Sequence, residues 1–378
     1  MEPGYPAARA VAPRIQAHFA RHAATASASE RAAALPVPVS ADIEALIDAA
    51  FWGSLRREEG YVPKISLVLL PPELAPHPLR FERPLPLSPS TLVRVAPAVE
   101  RPGIHLGVWR NATGDLKVWG TTRTVPVSSL VLEVSAPGLL VVKHHTRAGG
   151  KFVNVAVLEG DQVKVVDAQA SNLPDCPSLL SALLGFDTRD TTERPLNALV
   201  SLAVSMRAHG RGGSLLVVPT GRDDWRDSIV EPIAYAVKPA FGELGQLMQQ
   251  SAAPGDPREW RDAFDDTVAR IAGLTAVDGA TVMSDQHELL AFGAKITRRR
   301  GAATVEQVTV TEPIEGADAL IVHPTRLGGT RHLSAAQFVS DQHDALALVA
   351  SQDGRFTVFA WSTCDEMVHA HRVESLLL

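Results

Sequence analysis

Apolar residues along this chain change their spacing near the middle, and the change divides it. From Ser40 onward Ile43, Leu46, Ile47, Ala50, Phe51 and Leu55 recur every three or four positions. That is one face of a helix, with Ser40 as its N-cap and an end near Gly60. Beyond it the helical period gives way to short runs rich in valine, leucine and isoleucine: Lys64–Leu70, Ile104–Trp109, Leu116–Trp119, Leu130–Val134, Leu139–Lys143 and Phe152–Leu158. Proline or glycine separates most of them, which predicts an antiparallel sheet in a β-rich domain over residues 40–190.

A connection rich in Pro, Asp and Thr from Asp187 to Pro195 marks the boundary, and a different pattern follows it. Leu196, Leu199, Val200, Ala203, Val204 and Met206 predict a helix opened by Pro195. Gly210-Arg-Gly-Gly213 stops it, and Ser214–Pro219 reads as a buried strand. Trp225 to Gln249 is expected to be helical in part, limited by Pro232 and Pro239. Trp260, Phe264, Val268, Ile271 and Ala272 form another helical face. Thr281–Ser284 and Leu289–Phe292 read as a hairpin, Val305–Val310 as a strand and His332 to Gln342 as a helix. Ala345–Ala350 and Arg355–Trp361 form a last strand pair across Ser351–Gly354. The fold class is mixed α/β: a domain with a central mixed sheet over residues 196–362, preceded by the β-rich domain. Residues 1–39, dominated by Pro, Ala and Ser, read as a flexible leader, and residues 363–378 as a C-terminal tail.

Composition narrows the function classes. The 378 residues exceed the size at which one core usually keeps growing, and 46% hydrophobic with 21% charged residues is ordinary globular usage. A net charge of −6 argues against coating nucleic acid or an anionic membrane surface. No apolar run reaches the ~18 residues needed to span a bilayer. Two cysteines, Cys176 and Cys364, make neither a disulfide framework nor a thiolate metal site, which points to a reducing, cytoplasmic setting.

Two stretches could carry chemistry. In Asp278-Gly-Ala280, between a helix and a strand, Gly279 lets backbone approach a ligand and Asp278 can hold a metal or orient a hydroxyl; an Asp-Gly pair equally makes an ordinary turn. Gly328-Gly-Thr-Arg-His-Leu-Ser-Ala335 opens a predicted helix. Its backbone N–H groups at Gly328, Gly329 and Thr330, the helix dipole and Arg331 together suit a phosphate, while a capped helix start with a solvated arginine is the plainer alternative. His144-His145, beside Lys143 and Arg147 at a strand end, reads as a solvated basic loop. His369 and His371 have only Cys364, Asp365 and Glu366 near them in sequence, a poor set for zinc. The chain contains no Walker loop, no G-x-S-x-G elbow and no H-E-x-x-H helix.

Taken in order, Gly212-Gly-Ser-Leu-Leu-Val-Val218, Asp278-Gly-Ala280, Gly329-Thr-Arg-His332, Ser340-Asp-Gln-His-Asp-Ala345 and Ala347–Gly354 resemble the DisA N-terminal, or diadenylate cyclase, domain family from about Leu196 to Trp361. In that family two domains face each other, each holding one ATP, and a metal-assisted 3′-hydroxyl attacks the α-phosphate of the other nucleotide to make cyclic di-AMP. The resemblance implies Asp278 as ligand of Mg²⁺ or Mn²⁺, with Gly279 and Ala280 shaping the wall beside the nucleotide. It implies Gly329, Thr330, Arg331, His332, Ser334 and Gln352 around the phosphates, and Asp278, Arg331 and His332 as the catalytic set of an active enzyme.

Two positions depart from the family's pattern. Where the cyclases read R-H-R this chain has Leu333, and where they carry S-E it has Ser351-Gln352, with Asp353 displaced by one. Loss of a charged donor at such a site commonly costs on the order of 10²-fold in rate. Arg331-His-Leu-Ser-Ala-Ala-Gln-Phe338 and Ser351–Trp361, with Trp52–Gly60, His105–Trp109 and Lys151–Asp161 in the first half, resemble the divergent DACNV type, a predicted nucleotide sensor. The expectation is therefore a cytoplasmic sensor that binds ATP or a cyclic dinucleotide and acts through a homodimer or an effector protein, without membrane or nucleic-acid partners. The alternatives are an active diadenylate cyclase, a nucleotidyltransferase, and a non-binding interaction scaffold.

Overall fold

A computed structural model describes residues 4–25, 35–57, 60–146, 152–167, 197–250 and 257–378. The expected connection at Asp187–Pro195 lies outside the described residues, as do Arg147 and Cys176. By its contacts the chain forms two compact units, one built on Met1–Asp167 and the other on Arg194–Leu377. Each holds its own mixed sheet, of eight and nine strands.

The first unit begins with a helix that the sequence reading had as a flexible leader. Helix α1 spans Pro6–Thr25. Ala8, Val11, Ala12, Ile15 and Phe19 along it are buried, three to four residues apart. Its alanines are both strong helix formers and small core residues, a double role that composition alone hides. Helix α2 (Ser40–Ser54) lies in the same core through Ile43, Leu46, Ile47 and Ala50. Its N-cap is Val39 and not Ser40; the Ser40 N–H donates instead to Gln16 Oε1 of α1 at 2.7 Å.

The strands follow as β1 (Ser66–Leu69) and β2 (Leu79–Pro86), then helix α3 (Pro89–Val95), then β3 (His105–Arg110), β4 (Leu116–Thr122), β5 (Leu130–Ala136), β6 (Leu139–His145), β7 (Phe152–Glu159) and β8 (Gln162–Val165). Their order in the sheet is β2-β4-β3-β1-β5-β6-β7-β8. The sheet is not purely antiparallel: β1 runs parallel to β3, with Leu67 opposite Leu106, because β2 and α3 give the chain between them enough length to cross over. Leu67 and Leu69 face the core that holds α1 and α2, whereas Val68, Leu70, Trp119 and Val131 form a smaller core on the other face. Burial on both faces explains why these strands read as continuous apolar runs.

His144 is no part of a solvated loop. It belongs to β6 and is 3% exposed. Burial first, with neighbouring histidines adding, pushes its imidazole down to about 3, and His18 on α1 likewise to about 2.

In the second unit α4 (Ala198–Ala208) is capped by Asn197, whose side chain accepts from the N–H groups of Leu199 and Val200. It leads into β9 (Gly213–Val218). The stretch expected to be helical in part after Trp225 is so at its two ends: a 3-10 turn covers Asp224–Ser228 and a helix, α5, covers Glu243–Gln250, with strand β10 (Tyr235–Phe241) between them. Tyr235 stacks on Phe292 with centroids 4.8 Å apart, a cross-strand pairing that local helical spacing does not reveal. Helix α6 (Pro257–Leu274) precedes β11 (Ala280–Ser284), β12 (Leu289–Ala294), β13 (Val308–Thr311) and β14 (Leu320–Val322). Helix α7 (Thr330–Asp341), β15 (Leu346–Ala350), β16 (Phe356–Ser362) and β17 (Met367–Arg372) complete the unit. Strand β17 lies in the expected tail, yet pairs with both β16 and β13.

The sheet order is β10-β12-β11-β9-β15-β16-β17-β13-β14. Strand β9 is central, parallel to β11 and antiparallel to β15. Helices α4 and α6 bury Leu202, Met206, Phe264 and Val268 on one face, and α7 buries Phe338 and Val339 on the other. Each fully buried side chain of this size contributes roughly 1.5–3 kcal/mol. No described helix is long and apolar enough to cross a membrane.

Candidate functional site

The sheet of the second unit brings the predicted motifs to one edge. Strands β9 and β11 run parallel, so the loops that precede them, Gly210–Gly212 and Val277–Gly279, emerge together. Strand β15 runs the other way with Ala350 opposite Gly213, and this returns Ser351, Gln352 and Asp353 to the same end. Helix α7 starts there as well: Arg331 Nη1 lies 3.2 Å from the point where a Cβ on Gly212 would fall, and Gln352 Cγ is equally close to it.

Asp278 is exposed, and its carboxylate is ion-paired and hydrogen-bonded to Lys295 Nζ, just past the end of β12. The Lys295 ammonium holds the Asp278 carboxyl below the usual carboxylate range, and the Arg331 guanidinium adds to the effect. Lys295 is thus a member of the site that no motif announced; its only sequence signal was a cation one residue past a strand. Gly279 has φ +113°, and a Cβ there would fall 2.5 Å from the backbone carbon of Gly293. The glycine is therefore required by the close approach of the paired strand β12, and what its missing side chain admits is backbone. Ala280 opens β11 and is buried.

The second motif divides between solvent and core. Gly329 is the N-cap of α7, with no side-chain cap, and Gly329 and Thr330 are exposed. Arg331 is half-buried, and its guanidinium forms no ion pair or hydrogen bond among the described residues. His332 points inward: it is 2% exposed, its ring meets Phe359 edge-on at 6.1 Å, and its Nε2 lies 3.5 Å from Thr357 Oγ1. A Cβ on Gly328 would fall 2.4 Å from His332 Nδ1, so the first glycine of the pair makes room for this ring. Burial pushes the His332 imidazole down, against the opposing pull of Asp353, and keeps it neutral. Leu333 and Ser334 are half-buried on α7.

Gln352 donates from Nε2 to the carbonyl oxygen of Arg211 at 3.3 Å, closing the loop before β9. Asp353 is ion-paired to Arg355 at 3.3 Å, and a hydrogen bond from Ser351, the larger cause, keeps its carboxyl low. Arg207 of α4 ties down the same turn, donating from Nε to Gly354 O at 3.0 Å. Among the described residues the edge therefore carries the Arg331 guanidinium, the Lys295–Asp278 and Arg355–Asp353 ion pairs, and a helix start.

For Mg²⁺ or Mn²⁺ the described residues of the edge offer Asp278 and Asp353, each already engaged by a cation. One or two carboxylates bind such an ion only when phosphate oxygens and water complete its shell. A separate concavity of about 230 Å³, lined by Thr304, Gln307, Asp341, Trp361 and Met367 among others, lies at the opposite end of α7 and β16 and includes neither Asp278–Ala280 nor Gly328–Ser334. The chemistry-bearing side chains make the edge the better candidate.

Comparison with known families gives one match, to the family described as "Probable sensor domain DACNV", over residues 32–123. The match runs through the first unit from α2 to β4 and takes in Trp52–Gly60 and His105–Trp109. It does not reach the glycine-lined edge. No curated protein matches the chain.

Proposed function

We propose that the second unit binds a nucleotide or cyclic dinucleotide by its phosphates at the glycine-lined edge, and that the protein reports this ligand to a partner without converting it. The observation that carries the reading is the unpaired Arg331 guanidinium beside Gly212 at the start of α7. A guanidinium with no protein anion to satisfy it, next to helical N–H groups, is a ready partner for phosphate oxygens. Lys295 supplies a second cation nearby through Asp278. The order of Asp278-Gly-Ala280 and Gly329-Thr-Arg-His332 is that of the diadenylate cyclase family, which supports an adenine nucleotide. A DACNV match in the first unit supports a sensing role.

Turnover finds less support. Leu333 stands where the cyclases carry a cation, Gln352 is spent on the Arg211 carbonyl, and His332 is buried and neutral. Asp278 is neutralised by Lys295, and Asp353 is ion-paired to Arg355. A Mg²⁺ or Mn²⁺ ion would reach Asp278 only with a nucleotide's phosphates completing its shell.

The test uses the full chain. ATP and cyclic di-AMP are titrated by calorimetry with and without Mg²⁺ or Mn²⁺, while the ATP mixture is assayed for cyclic di-AMP by mass spectrometry. Saturable binding without product is expected, and Arg331→Ala should weaken it by about 10-fold or more, the value of a charge-assisted hydrogen bond. Formation of cyclic di-AMP would replace the sensor reading with an active cyclase. Absence of binding to either nucleotide would leave an interaction scaffold and sink the proposal.

A further inference from the structure

The first unit contains a second constellation, independent of the nucleotide reading. His18 and His22 are one turn apart on α1 and so share a face. His144 comes from β6. The three side chains each bring a ring nitrogen within 4.8 Å of the other two, and among the described residues they form the one such group of histidine, cysteine and acidic side chains. His18 Nε2 and His144 Nδ1 are 3.2 Å apart. His22 Nδ1 hydrogen-bonds the His18 carbonyl oxygen at 3.0 Å. None of the three lies within residues 32–123.

We infer that His18, His22 and His144 bind one borderline divalent transition-metal ion, of which Zn²⁺ is the representative, and that this ion staples α1 to the sheet. The geometry is close to what the ion needs. With Zn–N bonds of ~2.0–2.1 Å, ligand nitrogens in a tetrahedral site stand about 3.3 Å apart. The His18–His144 pair has that spacing already, and small rotations of His22 supply the third contact. A backbone carbonyl on Nδ1 is the outer contact that ligating imidazoles use to fix their tautomer, and it places the His22 lone pair on Nε2.

The surroundings agree. His18 and His144 are 2% and 3% exposed, and His22 is half-buried. The Phe19 ring lies against His144 at a tilt of 51°, with centroids 4.6 Å apart. Three imidazoles without a carboxylate or thiolate select Zn²⁺, Co²⁺, Ni²⁺ or Cu²⁺ over Mg²⁺ and Ca²⁺. A fourth position remains for water or a small anion, as in three-histidine zinc sites. Without a metal the trio can be held by hydrogen bonds such as that between His18 Nε2 and His144 Nδ1, and this is the rival that the experiment must exclude.

Tag-free full-length protein is stripped with chelator and titrated with Zn²⁺ against a chromophoric competitor, then separately with Co²⁺. One ion per chain should bind, Co²⁺ should show the visible bands of tetrahedral nitrogen coordination, and Zn²⁺ should raise the thermal midpoint by linkage. His22→Ala, chosen because His22 is the most exposed of the three, should keep the far-ultraviolet circular dichroism. It should also weaken Zn²⁺ by at least about 100-fold, since loss of an outer partner alone costs up to that. His323→Ala, at an exposed histidine elsewhere, should bind as the wild type does. No saturable binding, or binding unchanged in His22→Ala, would overturn the inference, the first result leaving a hydrogen-bonded trio and the second pointing to ions on exposed histidines.

Discussion

The histidine cluster of the first unit and the glycine-lined edge of the second are built in opposite ways. At the edge each contribution is a contiguous stretch, Asp278-Gly-Ala280 or Gly328–Ser334, and the charges stand at the surface while backbone approaches behind them are tight. In the cluster the contributions are single side chains, with 126 residues between His18 and His144, and nearly everything is buried. A site that works through backbone and turn geometry leaves a readable motif, because consecutive residues must cooperate. One that works through converging side chains leaves isolated letters.

The comparison makes the cluster depend on packing and the edge on backbone fit, and four measurements can break it. The largest effect is expected from Ile15→Ala on α1. Ile15 is fully buried, and truncation should cost about 4 kcal/mol in urea unfolding, with faster amide exchange in α1 and weaker Zn²⁺ binding. A small effect would mean that α1 is held by something other than its apolar face. Gly279→Ala should come next, at about 3 kcal/mol, since φ +113° and the 2.5 Å approach of Gly293 both oppose a side chain. If that variant is stable, the approach is loose and Gly279 is open to a ligand after all.

Acid should separate the core of the second unit from its edge. Burial pushes His371 to about 3 and lowers His332, whereas an unfolded histidine titrates near ~6.5. For His371 the unfolded state binds the extra proton between those values, so its contribution is intact above about pH 6.5 and falls with acidification toward pH 3, by up to ~1.4 kcal/mol per pH unit, and His332 shifts stability in the same direction. His371→Leu should remove one such increment from the slope of urea stability against pH; an unchanged slope would mean that the ring is already protonated when folded. The smallest stability effect belongs to Lys295→Ala. Its urea midpoint should match the wild type, while the Asp278 carboxyl, followed by NMR, should titrate higher for want of the ammonium. A fall in the midpoint would make Lys295 a structural residue.

Much of the strand content was legible because the sheets are buried on both faces. Leu67–Leu70, Leu130–Leu132 and Leu215–Val218 carry no polar interruption, and continuous apolar runs between turn residues have few other readings. Tyr235–Phe241 was misread because it is largely exposed and its apolar residues are spaced as a helix would space them. Helix α1 was missed because Ala, Pro and Ser weigh toward disorder in composition while the burial pattern of Ala8, Val11 and Ile15 needs a partner surface to matter. At the candidate site Asp278 and Arg331 were legible from their motifs. Lys295 was not, since it joins Asp278 only through the pairing of β11 with β12.

Neighbouring residues in the sequence were enough to set the mixed α/β class, the apolar strands and the glycine-bearing motifs, because each is a local property. Tertiary structure alone decided that His332 faces the core, that Gly279 makes room for backbone, that Lys295 neutralises Asp278, and that three distant histidines meet. Those outcomes depend on which strands pair and which faces are covered, and pairing is set by burial summed over the whole sheet and not by any local stretch.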